Sequence, residues 1–120
     1  VMSTNGTWKC GIYGNLLKKR GFETIIPDYD FQNEKIHRMI YDPDFGIKAN
    51  TENVTAEAKA LLEEALQYFK SCQADAIILG CTELSKVLTS DRVNEMLIVD
   101  STRVLASALI SEVRQSYEFA

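Results

Sequence analysis

The chain predicts an α/β fold in which a parallel sheet is wound between helices, and three observations carry that expectation. Asp75-Ala76-Ile77-Ile78-Leu79 is an apolar run of strand length that ends in Gly80-Cys81-Thr82-Glu83. Directly before it, Val54, Ala58, Leu61, Leu62, Ala65, Leu66, Phe69 and Cys72 recur at spacings of three and four, the stripe of an amphipathic helix. A second apolar run, Met96 to Val99, leads into Asp100-Ser101-Thr102 and a further stripe of Leu105, Ala108, Leu109 and Val113. Strands that alternate with helices in this way build a parallel sheet through right-handed crossovers, here expected as a three-layer unit.

The remaining elements follow in order. Ser3-Thr4-Asn5-Gly6-Thr7 is a run of turn and cap residues between a short apolar start and a helix. Trp8, Ile12 and Leu16 recur every four residues, with Lys18, Lys19 and Arg20 in the last turn and Gly21 as the stop, so one helix of about three turns is expected there, with Trp8 in the core. Phe22 to Ile26 has the composition of a short strand ended by Pro27. Asp28 or Asp30 is placed to cap a helix carrying Ile36, Met39 and Ile40, and Asp42 to Asn50 is a connecting loop with Pro43 and Gly46. Asn53 or Thr55 caps the long helix, and a short helical stretch around Leu84 to Leu88 follows the Gly-Cys-Thr-Glu turn.

With 120 residues, 46% of them apolar and 25% charged, the chain has enough material for a core. A net charge of −4, from 13 basic against 17 acidic residues, argues against nucleic acid or a membrane surface as partner and favours a small molecule. No run reaches the length of a membrane span and no signal peptide opens the sequence. Cys10, Cys72 and Cys81 are odd in number, without a CxxC pair and with a single histidine in the chain, so neither a disulfide framework nor a metal site is expected. A cytoplasmic location fits that usage. Val1-Met2-Ser3 reads as the end of a strand already under way, so the chain is expected to be a fragment, or one half of a larger protein.

Chemistry concentrates at the strand ends, because ligands of open α/β sheets bind at the carboxyl edge. Cys81 stands there, either as a small packed residue or as a thiolate whose pKa is lowered by the N–H groups of the following helix. Thr82 reads as a donor to an anionic ligand or as a helix cap, and Glu83 as a first-turn carboxylate or as an acid/base partner of the thiol. The loop of Thr4, Asn5 and Thr7 offers hydroxyl, amide and N–H donors to a carboxylate or phosphate, without the spacing of a nucleotide-binding motif. Lys48 is read as a clamp on a ligand carboxylate or as a solvated loop lysine. His37, on the polar flank of its helix, is read as structural, and Cys10 and Cys72 as inert.

Ser3-Thr4-Asn5-Gly6-Thr7, Ile40-Tyr41-Asp42 leading into Gly46-Ile47-Lys48-Ala49-Asn50, Ile77-Ile78-Leu79-Gly80-Cys81-Thr82-Glu83-Leu84 and Val99-Asp100-Ser101-Thr102 together resemble the carboxyl-terminal half of the aspartate/glutamate racemase family, in order and spacing along nearly the whole chain. The resemblance implies two pseudo-symmetric α/β lobes with the active site between them and no pyridoxal phosphate, metal or nucleotide. It implies two cysteines, one from each half, on opposite sides of the substrate α-carbon: one thiolate removes the α-proton and the other, as thiol, delivers a proton to the far face. Cys81 takes one of these roles and the other cysteine lies outside this chain. An α-proton is very weakly acidic, so donors must gather around the carboxylate and the developing carbanion. The resemblance assigns Thr4, Asn5, Thr7 and Thr82 to the α-carboxylate and Lys48 to the side-chain carboxylate of a small acidic amino acid.

Glutamate racemases carry His where this chain has Glu83, which moves the resemblance toward the aspartate or broad amino-acid racemase branch. Residues 1–89 are expected to form the lobe with the catalytic cysteine, and 90–120 a strand and helix returning to the missing amino-terminal half. Without that half the last helix should leave an apolar face open, to be covered in a homo-oligomer or to rearrange. The alternatives are a related Cys-dependent enzyme of hydantoin racemase, maleate isomerase or arylmalonate decarboxylase type, and a non-catalytic binding module.

Overall fold

The structure, a computed structural model, describes residues 1–118. Its elements run α1 (Asn5–Cys10), α2 (Ile12–Lys19), α3 (Tyr29–Phe31), a π-helical segment (Gln32–His37), α4 (Arg38–Tyr41), α5 (Ala56–Ser71), β1 (Ala76–Leu79), a 3-10 turn (Thr82–Lys86), β2 (Arg92–Val93), β3 (Met96–Asp100) and α6 (Ser101–Glu118). The three helical pieces from Tyr29 to Tyr41 are continuous. Residues 119 and 120, the end of the segment expected over 90–120, lie outside the described residues.

β1 and β3 pair in parallel, with Leu79 opposite Asp100, and β2 pairs with β3 antiparallel. Met2 adds a single parallel bridge to Leu79, its N–H on the Ile78 carbonyl and its own carbonyl accepting from Gly80 N–H. The sheet is therefore mixed, where an all-parallel one was expected. The tight reversal through Asn94 and Glu95, both at positive φ, turns the short β2 back onto β3. Because Met2, β1 and β3 run the same way, residues 3–5, 80–83 and 100–101 emerge along one edge.

Alternation sets the faces. Ile77, Leu79 and Met96 are buried on one face, against Ile36, Met39 and Ile40 of the helix 29–41 and Ala65, Leu66 and Phe69 of α5. Ala76 and Leu97, on the other face, are exposed and Ile78 is half-buried. Helices thus cover one side, and the second helical layer of the expected three-layer unit is not formed among the described residues. α6 starts where expected, Asp100 Oδ1 accepting from the N–H groups of Thr102 and Arg103, but its residues from Thr102 to Tyr117 are all exposed, Leu105, Leu109 and Val113 among them.

Three local expectations change. The helix expected through Trp8 and Leu16 is broken at Gly11, whose φ of 62° ends α1 and starts α2. Trp8 is half-buried rather than core, its indole N–H donating to the Pro27 carbonyl and its ring against Tyr29. Phe22 to Ile26 forms no strand: with no neighbour to share its hydrogen bonds the segment runs unpaired, and Phe22 and Ile26 are exposed.

Candidate active site

The edge where Met2 and β1 end brings two sequence-distant pieces together. Gly80 is the contact point: a Cβ added there would lie 3.1 Å from the Ser3 Cβ and 3.4 Å from the Met2 carbonyl oxygen, so a larger residue would make Ser3 give way by a few tenths of an ångström. Ser3 itself is buried. One residue further on, Cys81 is half-buried in extended backbone and opens the 3-10 turn, whereas Cys10 and Cys72 are exposed at helix ends.

The Cys81 thiol donates to Glu83 Oε2 at 3.1 Å, and the Thr82 hydroxyl donates to the same oxygen at 2.9 Å. The acid/base partner reading of Glu83 therefore has direct geometry. The expected lowering of the thiol pKa is overturned. Burial and the bond to the Glu83 carboxylate push it above its ordinary value, and the N–H groups of Glu83 and Leu84, which do pull it down, are outweighed. Glu83 moves the other way, held below the usual carboxylate range by the thiol bond, the Thr82 hydroxyl and the nearby Lys48 charge. At neutral pH the pair is a thiol beside a carboxylate.

Lys48 reaches this edge from the 42–50 loop. The loop is pinned under the end of the helix 29–41, with Ile47 N–H on the Met39 carbonyl and Lys48 N–H on the Ile40 carbonyl, so it satisfies acceptors that a helix end leaves open. Gly46 makes the turn possible, since a Cβ there would sit 2.5 Å from the Asp42 carbonyl oxygen. The Lys48 ammonium donates to the Tyr41 hydroxyl at 3.2 Å and lies 4.7 Å from the centre of that ring. The hydroxyl contact raises its pKa, with the charges of Glu83 and Cys81 adding to the effect. Lys48 is exposed, as a solvated lysine would be, yet its charge is felt at Glu83.

Asn5 is anchored rather than free. Its N–H donates to His37 Nδ1 at 3.1 Å and its carboxamide to Asn33 Oδ1 at 2.9 Å. Thr4 is the α1 N-cap without a side-chain bond to the helix, and Thr7 lies half-buried in the first turn. Thr82 is exposed. The sequence reads His37 as structural and gives no sign of the contacts that Tyr41 and Gln32 make. Ile40-Tyr41-Asp42 drew notice only as a block, and the His37 link joins residues 32 apart, which periodicity does not report.

Among the described residues no group of His, Cys, Asp and Glu side chains is arranged to hold a metal ion, and no helix is long and apolar enough to cross a membrane. A cavity of about 260 Å³ lies elsewhere, between the 88–91 loop and the start of α6. What the strand edge offers is one protonated thiol, one ionised carboxylate, one cation and a cluster of hydroxyl and amide donors.

No solved structure matches the chain significantly. The model of one protein family, described as Asp/Glu/Hydantoin racemase, matches residues 1–109, which take in the Ser3–Thr7 loop, Lys48, the Cys81 turn and the start of α6. With that match over most of its length, the chain belongs to the Asp/Glu/hydantoin racemase family, a family of isomerases of the racemase kind.

Proposed function

We propose that this chain is the carboxyl-terminal portion of a cofactor-independent aspartate/glutamate-type amino-acid racemase, in which Cys81 exchanges a proton with one face of the substrate α-carbon. The observation that carries this reading is the Cys81–Glu83 hydrogen bond at the carboxyl edge of β1, with the Lys48 charge in reach. A thiol held above its ordinary pKa carries its proton at neutral pH and, although a weaker acid than a free thiol, is far more acidic than the α-carbon, so it can protonate the carbanion. When it has given its proton to the carbanion, the thiolate left beside Glu83 is a strong base, suited to removing a weakly acidic α-proton in the reverse direction. In that direction the C–H bond breaks, the S–H bond forms, and the electron pair stays on the α-carbon until the residue opposite delivers a proton. That opposite residue, a cysteine by the family resemblance, comes from polypeptide other than this chain.

Lys48 supplies the counter-charge for the side-chain carboxylate of an acidic substrate. Thr4, Asn5, Thr7 and Thr82 supply donors for the α-carboxylate, where negative charge grows as the proton leaves, Asn5 through the second hydrogen of its carboxamide and Thr82 by turning its hydroxyl from Glu83. The protein works in the cytoplasm as a homo-oligomer, and within the segment expected to return to the other lobe it is the open apolar side of α6 that meets that lobe, since β3 pairs with β1 in this chain's own sheet.

Replacing Cys81 with Ser in the full-length protein is expected to lower racemisation of aspartate by about a hundredfold or more while the fold persists. Wild-type turnover in that variant removes the proposal. Deuterium from solvent is expected at the α-position of aspartate during turnover. Loss of carbon dioxide from a malonate, or isomerisation of maleate, without that exchange identifies one of the related thiol enzymes instead.

A further inference from the structure

The first backbone donor of α1, Asn5 N–H, has no carbonyl within its own helix to meet, and the Thr4 side chain does not cap it. The His37 imidazole takes that place. Gln32, on the same π-helical segment, donates from Nε2 to the Ser3 carbonyl at 2.8 Å and to Asn5 Oδ1 at 3.3 Å. On its other side His37 stacks on Tyr41, with ring centroids 4.8 Å apart and planes at 28°. Tyr41 in turn holds Lys48. One continuous set of contacts therefore runs from the Ser3–Thr7 loop through His37 and Tyr41 to the cation on the far side.

Two features of this set oppose stability. A π-helical run is a poor way to satisfy a backbone, and it recurs at functional sites. Gln32 is buried, and its Oε1 has no partner. Orphaned buried acceptors are rare enough to need a reason, and here the reason is that the amide must face Ser3 and Asn5.

We propose that His37 and Tyr41 are positioning residues, which tie the Ser3–Thr7 loop to Lys48 so that the two carboxylate-holding ends of the site keep one spacing. The assignment of those ends rests on the function proposed above. Only the neutral ring offers Nδ1 as an acceptor; protonation turns it into a second donor facing Asn5 N–H. The groups set against the imidazole are Asn5 from α1 and Tyr41 from α4, with Lys48 beyond the phenol, and burial lowers the histidine's pKa.

Amide hydrogen exchange followed by NMR on the 120-residue chain tests the link. His37→Phe keeps a ring for Tyr41 and removes the acceptor, so Asn5 exchange is expected to speed up about tenfold or more. His37→Asn, whose Oδ1 stands close to the position of Nδ1, is expected to restore protection. Acidification through the histidine titration should reproduce the Phe effect in wild type and leave the Asn variant unmoved. Tyr41→Ala should expose Asn5 as well, with the α5 amides still protected.

Unchanged Asn5 exchange in His37→Phe, or equal loss in the Phe and Asn variants, overturns the proposal. L-aspartate added to the full-length protein, in which both lobes of the site are present, is expected to shift the Asn5 and Lys48 signals together. If L-aspartate does not bind while the exchange pattern holds, the racemase reading fails and the positioning pair stands.

Discussion

Helices α5 and α6 begin alike and end in opposite surroundings. Each follows a polar cap, Thr55 for α5 and Asp100 for α6, and each carries an apolar stripe at helical spacing. In α5 the stripe is core, with Ala58, Ala65, Leu66 and Phe69 buried. In α6 it lies open, with Val104, Leu105, Leu109, Ile110 and Val113 each more than half exposed. The stripe therefore states that a helix needs cover, not where the cover comes from. α5 finds it in the helix 29–41 and the sheet, whereas α6 leaves the edge of β3 with its apolar side unpartnered among the described residues. An apolar surface of this kind marks an interaction face.

The contrast is broken most directly by truncating each stripe. Phe69→Ala is expected to cost about 3–5 kcal/mol in denaturant unfolding, by removing a buried ring. Leu109→Ser in α6 of the 120-residue chain as a monomer should stay within about 0.5 kcal/mol, as an exposed substitution does. A large loss from Leu109→Ser would show that α6 is covered in solution.

The caps give a smaller version of the same test. Thr55 both accepts from Ala58 N–H and donates to the Phe45 carbonyl at 2.7 Å, so Thr55→Ala should lower global stability by about 1 kcal/mol. Asp100→Ala removes a cap from a helix with no tertiary cover. It should show as faster amide exchange in the first turn of α6 with little change in the unfolding midpoint.

The cysteines carry the comparison to the site, since Cys72 ends α5 in the open and Cys81 is half-buried beside Glu83. Glu83→Gln removes the negative charge that holds the thiol protonated. Iodoacetamide should then modify Cys81 about threefold faster or more at neutral pH, with Cys72 as the internal control. A slower reaction would mean that the carboxylate activates the thiol.

The smallest effect belongs to His37. Its folded pKa lies below the ordinary value of about 6.5, so the unfolded chain takes up the proton first as pH falls. Its share of stability is present above that value and is lost as pH drops through the folded pKa. His37→Asn should flatten this part of the stability profile, as seen by thermal unfolding between about pH 5 and 7.

Local signals were legible in the sequence, and through-space ones were not. α5 with its Thr55 cap, β1, β3, the Asp100 cap and the 42–50 loop all rest on spacing and on cap or turn chemistry within a few residues. Phe22 to Ile26 has the composition of a strand without being one, because a strand exists only with a partner, which composition does not supply. The break at Gly11 was hidden because Trp8, Ile12 and Leu16 keep their four-residue spacing across it.

At the site, Cys81 stood out from its strand end. The direction of its pKa, however, depends on a carboxylate 3.1 Å away and on burial, neither of which position reveals. His37 looked like a flank residue because its partner, Asn5, is brought to it by the fold.

Gly46 sets a limit on how such a molecule can diverge. A Cβ there would run into the Asp42 nitrogen and the Ile40 carbonyl oxygen as well as the Asp42 carbonyl, so every other amino acid at that position would dislodge the peptide that delivers Lys48. The reach of the ammonium is then a fixed ruler across evolutionary change. New ligand preferences have to arise from the residues measured against it, and descendants that abandon the lysine's role are expected to be the ones in which this glycine drifts.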